Sequence, residues 1–146
     1  MTNQPMASRT DADHCFVCGV DNPIGLKIIF SLTEKGCVGE YTPLKEHSGF
    51  NGVTHGGIVF AVLDDVMANW FYLQGGYGYT AKSEIRYREP MPIGVVVKIE
   101  CEVVKEKRRL VQLKSWATDK KTNTIYAEAD ASFMLSLHAY YFGIRL

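Results

Sequence analysis

No charge of one sign dominates this chain of 146 residues: 16 Lys and Arg balance 16 Asp and Glu, and charged residues make up only 22%. Binding to nucleic acid or to an anionic membrane needs a basic excess on some face, so the balance excludes a general electrostatic footprint for either partner. Cysteine is scarce as well, and 4 in a chain of this size are too few for a secreted disulfide scaffold. Long apolar runs are missing. The most hydrophobic segment is interrupted by Asp64 and Asp65, far short of the roughly 20 residues that span a bilayer, and the opening Met-Thr-Asn-Gln-Pro lacks a signal-peptide core. A soluble, cytoplasmic protein is expected. Two hydrolase signatures are absent too: no Gly-x-Ser-x-Gly turn frames Ser48, Ser83 or Ser115, and the histidines at 14, 47, 55 and 138 contain no His-Glu-x-x-His.

What is present is apolar residues, at 47%, in a length that suits one domain burying roughly two thirds of its unfolded surface. Residues 1–13 are polar and aperiodic and read as a loose arm, 14–136 as the folded domain, and 137–146 as an apolar, aromatic tail that closes an oligomer interface or roofs a pocket. Strands are expected at Leu26 to Thr33 and Cys37 to Pro43, then a loop to Thr54. One long helix follows, from His55 to Gln74, with Thr54 as its N-cap and Gly75-Gly76 at its end; its apolar residues lie on nearly every side, as in a helix wrapped by protein. After it the period becomes two, giving strands at Tyr79 to Arg88, Ile93 to Val103, Leu110 to Thr118 and Ile125 to Leu135, with turns at Lys105 to Arg109 and Asp119 to Asn123. Cys37 and Cys101 sit in strands as small core hydrophobes. The layout is α+β, one helix against an antiparallel sheet.

Two features of that helix point to chemistry. Asp64 and Asp65 lie in its middle, where an ionised carboxylate costs several kcal/mol unless it is solvated, paired or poised for work. One reading is structural, with both acids capping loops or pairing with Arg86 or Arg88; Asn69 is a further partner for Asp65 four residues on. The helix start favours the other reading. His55-Gly56-Gly57 exposes backbone N–H groups at the positive end of the dipole, a plausible oxyanion hole, with an acid nine residues beyond the histidine.

Gly52-Val53-Thr54-His55-Gly56-Gly57, the acid at Asp64 and Thr80 ten residues before Pro90 together resemble the PaaI-like acyl-CoA thioesterases of the hotdog fold, over about Cys15 to Leu135. The resemblance implies a curved antiparallel sheet wrapped around the central helix, paired protomers and active sites where two protomers meet. It implies Asp64 as catalytic carboxylate, either nucleophile or general base, Gly56 as the N–H donor to the thioester carbonyl, Thr80 as a hydroxyl from the facing protomer, and His55 as a shaper of the turn with a direct role as the alternative. Gly57 joins the same anion-binding turn. Some relatives carry Asn six residues before the histidine, where this chain has Gly49; Asn51 is the candidate replacement.

The implied reaction is hydrolysis of an acyl-CoA to a carboxylic acid and free CoA, with CoA as part of the substrate and no cofactor or metal. A homodimer at least is expected, with a homotetramer as the alternative. Candidates for the CoA phosphates are Arg108 and Arg109 in a basic turn, and Lys82, Arg86 and Arg88 on one strand face. The rivals are a non-catalytic acyl-CoA-binding module and a hydratase or dehydratase on the same fold. Cys15-Phe16-Val17-Cys18 offers a metal or redox reading, but it lacks the second cysteine pair of a structural zinc site.

Overall fold

A computed structural model describes residues 9–136. Six strands and one long helix follow in chain order: β1 (Phe30–Leu32), β2 (Gly36–Tyr41), a single 3-10 turn at Lys45–His47, α1 (Gly56–Tyr72), β3 (Gly78–Tyr87), β4 (Val97–Lys107), β5 (Leu110–Asp119) and β6 (Ile125–Leu135). They form one sheet of order β1-β2-β4-β5-β6-β3, antiparallel at every neighbour, with α1 packed on one face. This is the expected α+β arrangement.

Alternation builds the inner face. Val97, Ile99 and Cys101 of β4, Val111, Leu113 and Ala117 of β5, and Ala127, Ala129, Ala131 and Phe133 of β6 are buried, and they meet Val59, Val62, Leu63, Val66 and Met67 of α1. Phe71 stacks on Phe133 with ring centroids 5.5 Å apart. The chain then turns so closely into β3 that a Cβ on Gly78 would lie 2.3 Å from the Phe71 ring, which leaves only glycine at that place. Cys37 and Cys101 are cross-strand partners in the core, and burial pushes each thiol up to about 12.

The element ends differ from expectation where backbone groups find other partners. Leu26 to Ile29 lie outside β1 because Leu26 N–H and Ile28 N–H donate to the carbonyls of Phe16 and Val17 in the lead-in segment. Ile93 and Gly94 bond to the carbonyls of Gly52 and Pro43, with Gly94 at a φ of 89°, so β4 begins only at Val97. It runs on to Lys107 because a bulge between Val103 and Lys105 absorbs Val104, leaving Arg108 and Arg109 alone in the turn. The helix is capped by His55 instead of Thr54, whose hydroxyl is buried with no partner among the described residues. Nor is the helix wrapped on all sides: Phe60, Ala61, Asp64 and Ala68 form a half-buried stripe at helical spacing.

Residues 9–13, assigned by sequence to the loose arm, are tied down. The Arg9 guanidinium donates to the carbonyls of Tyr72 and Gly76 at 2.9 and 2.8 Å and lies over the rings of Tyr72 and Tyr77. The tail at 137–146 lies outside the described residues, as do residues 1–8. Among the described residues no helix is long and apolar enough to cross a membrane.

Candidate active site

At the start of α1, His55 N–H donates to the His47 carbonyl, and His55 Nδ1 accepts the Gly57 N–H at 2.9 Å. The second bond places the ring's lone pair on Nδ1. It also separates the roles of the two glycines. Gly57 has its amide committed to the histidine, and a Cβ there would lie 3.1 Å from the ring nitrogen, so this glycine gives the imidazole room to cap. Gly56, the first residue of the helix, keeps an N–H with no partner among the described residues, at the positive end of the dipole. Its carbonyl is held by the Tyr87 hydroxyl at 2.8 Å.

Beside this amide lies a cleft of about 760 Å³ with a largely apolar lining that includes Phe50, Val53, Val59 and Met91, and with polar groups from Thr54, His55, Tyr87, Arg88, Glu89 and Tyr126. Phe50 stands at 88% exposure on its rim. Neither Phe50 nor Tyr87 was evident from sequence. A Cβ on Gly49 would approach the His55 Cα to 3.2 Å, which explains the small residue there. Asn51 is exposed in the adjoining turn and does not line the cleft.

The acids of α1 part company. Asp64 Oδ1 accepts a hydrogen bond from Thr80 Oγ1 at 2.6 Å. Burial raises the Asp64 carboxyl above the ordinary carboxylate value, and the Thr80 bond opposes that rise. Thr80 thus reaches the acid of its own chain, because β3 follows α1 directly and lays its first residues beside the middle of the helix. Asp65 turns away. Asn69 Nδ2 donates to Asp65 Oδ2 at 3.0 Å, and Cys15 Sγ lies 3.6 Å from Asp65 Oδ1. Burial pushes Asp65 up to about 7; the hydrogen bond from the Cys18 thiol, with the amides of Cys18 and Val17, lowers Cys15 to about 5, and the same thiol bond together with burial raises Cys18. Neither acid pairs with Arg86 or Arg88.

The basic candidates are scattered. Arg88 lines the cleft but is ion-paired with Glu128. Lys82 lies in a separate shallow dimple with Glu84 and Asp130, and Arg86 is exposed on β3. Arg108 and Arg109 occupy the β4–β5 turn, where Leu110 aligns with Met134 and Met134 with Tyr79, next to Thr80 and at the far end of β3 from Tyr87.

A family model described as thioesterase superfamily matches residues 51–125. Acyl-coenzyme A thioesterase THEM5 of Mus musculus is 25% identical over 107 residues, covering 73% of this chain and 43% of that protein, so the chain spans less than half the length of this relative. Among solved structures, smu.793 of Streptococcus mutans bound to acetyl CoA matches with a TM-score of 0.68 at 19% identity, covering 75% of this chain and 88% of its own. The PaaI protein of E. coli matches with a TM-score of 0.69 at 16% identity, covering 76% and 80%. The architecture is that of the hotdog fold.

Proposed function

The chain belongs to the thioesterase superfamily, and from that premise we propose that it hydrolyses acyl-CoA thioesters in active sites shared by two copies. The observation that carries this reading is the spacing on α1. The unpartnered Gly56 N–H and the Asp64 carboxylate lie eight residues apart on one helix, about 12 Å at 1.5 Å per residue, too far to act on one carbonyl. Two chains resolve it. β3 is an edge strand, exposed along most of its length, with Asp64 and Thr80 at its start and Tyr87 bonded to Gly56 at its end. Antiparallel pairing of β3 with the same strand of a second copy brings the Asp64 end of one chain to the Gly56 end of the other. The half-buried stripe of α1 faces the same partner.

In such a site the Gly56 N–H and the dipole behind it take the growing negative charge on the thioester oxygen. Thr80 holds Asp64 Oδ1, and Oδ2, with no partner among the described residues, takes a proton from the attacking water. As the carbon–sulfur bond breaks, the thiolate leaves and recovers that proton. A thiolate is a good leaving group, so one base and one oxyanion donor suffice. The acyl chain lies in the apolar cleft, and the phosphates of CoA meet Arg108 and Arg109, whose side chains form no ion pair among the described residues. The relatives named for acyl-coenzyme A thioesterase activity and the neighbour bound to acetyl CoA support the substrate class.

Release of free thiol from a panel of aryl and fatty acyl-CoAs tests the proposal. The wild type is expected to turn over part of the panel and Asp64→Ala to lose about 100-fold or more in kcat. Saturable binding without hydrolysis by the wild type, or full activity of Asp64→Ala, overturns it.

A further inference from the structure

The Cys15-x-x-Cys18 pair has no part in the proposed reaction, yet the fold carries it to the second acid of the helix. Cys15 Sγ, Cys18 Sγ and a carboxylate oxygen of Asp65 lie within 4.8 Å of one another. We propose that Cys15, Cys18 and Asp65 form a binding site for a thiophilic divalent cation of the zinc class, which ties the N-terminal lead-in to the central helix.

Distances carry the argument first. A tetrahedral centre with metal–sulfur at about 2.3 Å and metal–oxygen at about 2.1 Å separates its sulfur and oxygen ligands by about 3.6 Å. Cys15 Sγ and Asp65 Oδ1 are 3.6 Å apart. The surrounding hydrogen bonds point the same way. Cys18 N–H is directed at Cys15 Sγ at 3.4 Å, as amides are toward a thiolate. Asn69 Nδ2 reaches Cys18 Sγ at 3.7 Å and Asp65 Oδ2 at 3.0 Å, so one amide orients a thiol and a carboxylate together and leaves Oδ1 facing the sulfurs. Ligand groups at metal sites are held by outer bonds of this kind.

Charge completes the case. Among the described residues no lysine or arginine pairs with Asp65, so two thiols and a half-buried carboxylate meet with no positive group. Two sulfurs and one oxygen select zinc, cobalt or cadmium over magnesium or calcium, which take oxygen sets. Three protein ligands leave the fourth corner to water, and binding sends the thiol protons to solvent. The bound ion fixes the Cys15–Cys18 turn against the helix one residue from Asp64.

The test uses the reduced, metal-stripped full chain titrated with Co²⁺. The expected result is one ion per chain, a thiolate-to-cobalt charge-transfer band, displacement of that band by Zn²⁺ and a rise in Tm on adding Zn²⁺. Cys15→Ser and Cys18→Ser are expected to lose the band, and Asp65→Asn to weaken binding at least tenfold, with circular dichroism checking the fold of each variant. If the variants do not fold, the wild type still decides: a fully reduced chain, with four thiols counted after denaturation, that shows no charge-transfer band at millimolar Co²⁺ in its native state overturns the proposal. So does a band that persists in the Cys15→Ser/Cys18→Ser double variant, or a Cys15–Cys18 disulfide with no metal binding after reduction.

Discussion

Asp119 illustrates how a single carboxylate fixes a turn and what acid does to it. Its Oδ1 accepts the amides of Lys121 and Thr122 at 2.8 and 3.0 Å, and its Oδ2 accepts the Tyr126 hydroxyl at 2.6 Å. These bonds favour the charged form, with the Tyr126 bond foremost, so the pKa falls below the ordinary value. A depressed carboxylate stabilises the fold above its unfolded pKa of about 4 and loses that contribution as pH falls through the folded value. The urea midpoint of Asp119→Asn is therefore expected below that of the wild type at pH 7, with the gap closing as pH drops below about 4; a gap independent of pH contradicts this. Asp64 was legible at this scale because an acid is conspicuous among apolar helical neighbours, and so was Gly56 beside His55. The separate duties of Gly56 and Gly57 were not, because they depend on where the His55 ring turns. Nor was the meeting of Cys15 with Asp65, since a contact between residues 50 apart leaves no local trace.

Among the elements, period-two alternation revealed the four strands after the helix, and the long apolar run revealed α1. Their ends were less legible. Strand limits depend on which partner takes each backbone group, and the segments at 26–29 and 93–94 bond to the lead-in and to loops that no periodicity marks. The union of α1 with β6 rests on Phe133, fully buried and stacked on Phe71. Phe133→Ala is expected to cost about 3–5 kcal/mol in chemical denaturation, since the rigid sheet around it cannot close the space. A loss under 1 kcal/mol would mean that the helix is held to the sheet elsewhere. The long, exposed edge strand β3 was foreseen as a strand but not as the element bonded to α1 at both ends of the proposed site, through Tyr87 to Gly56 and Thr80 to Asp64.

For the whole molecule, the neutral charge balance hides a division of labour: an amide and a cleft at one end of β3, a carboxylate and a basic turn at the other. The central claim is that each active site takes Gly56 from one chain and Asp64 from its partner. Gly56→Pro removes the amide with little strain, because proline suits the first position of a helix and the preceding His55 is already extended at ψ 132°. Asp64→Ala removes the base. Each variant alone is expected to be inactive. Mixed in equal amounts and allowed to exchange subunits, they form heterodimers in half of the dimers, each with one intact site, which predicts recovery of about a quarter of wild-type thiol release. No recovery, in a mixture shown by native mass spectrometry to contain the heterodimer, would contradict the shared site.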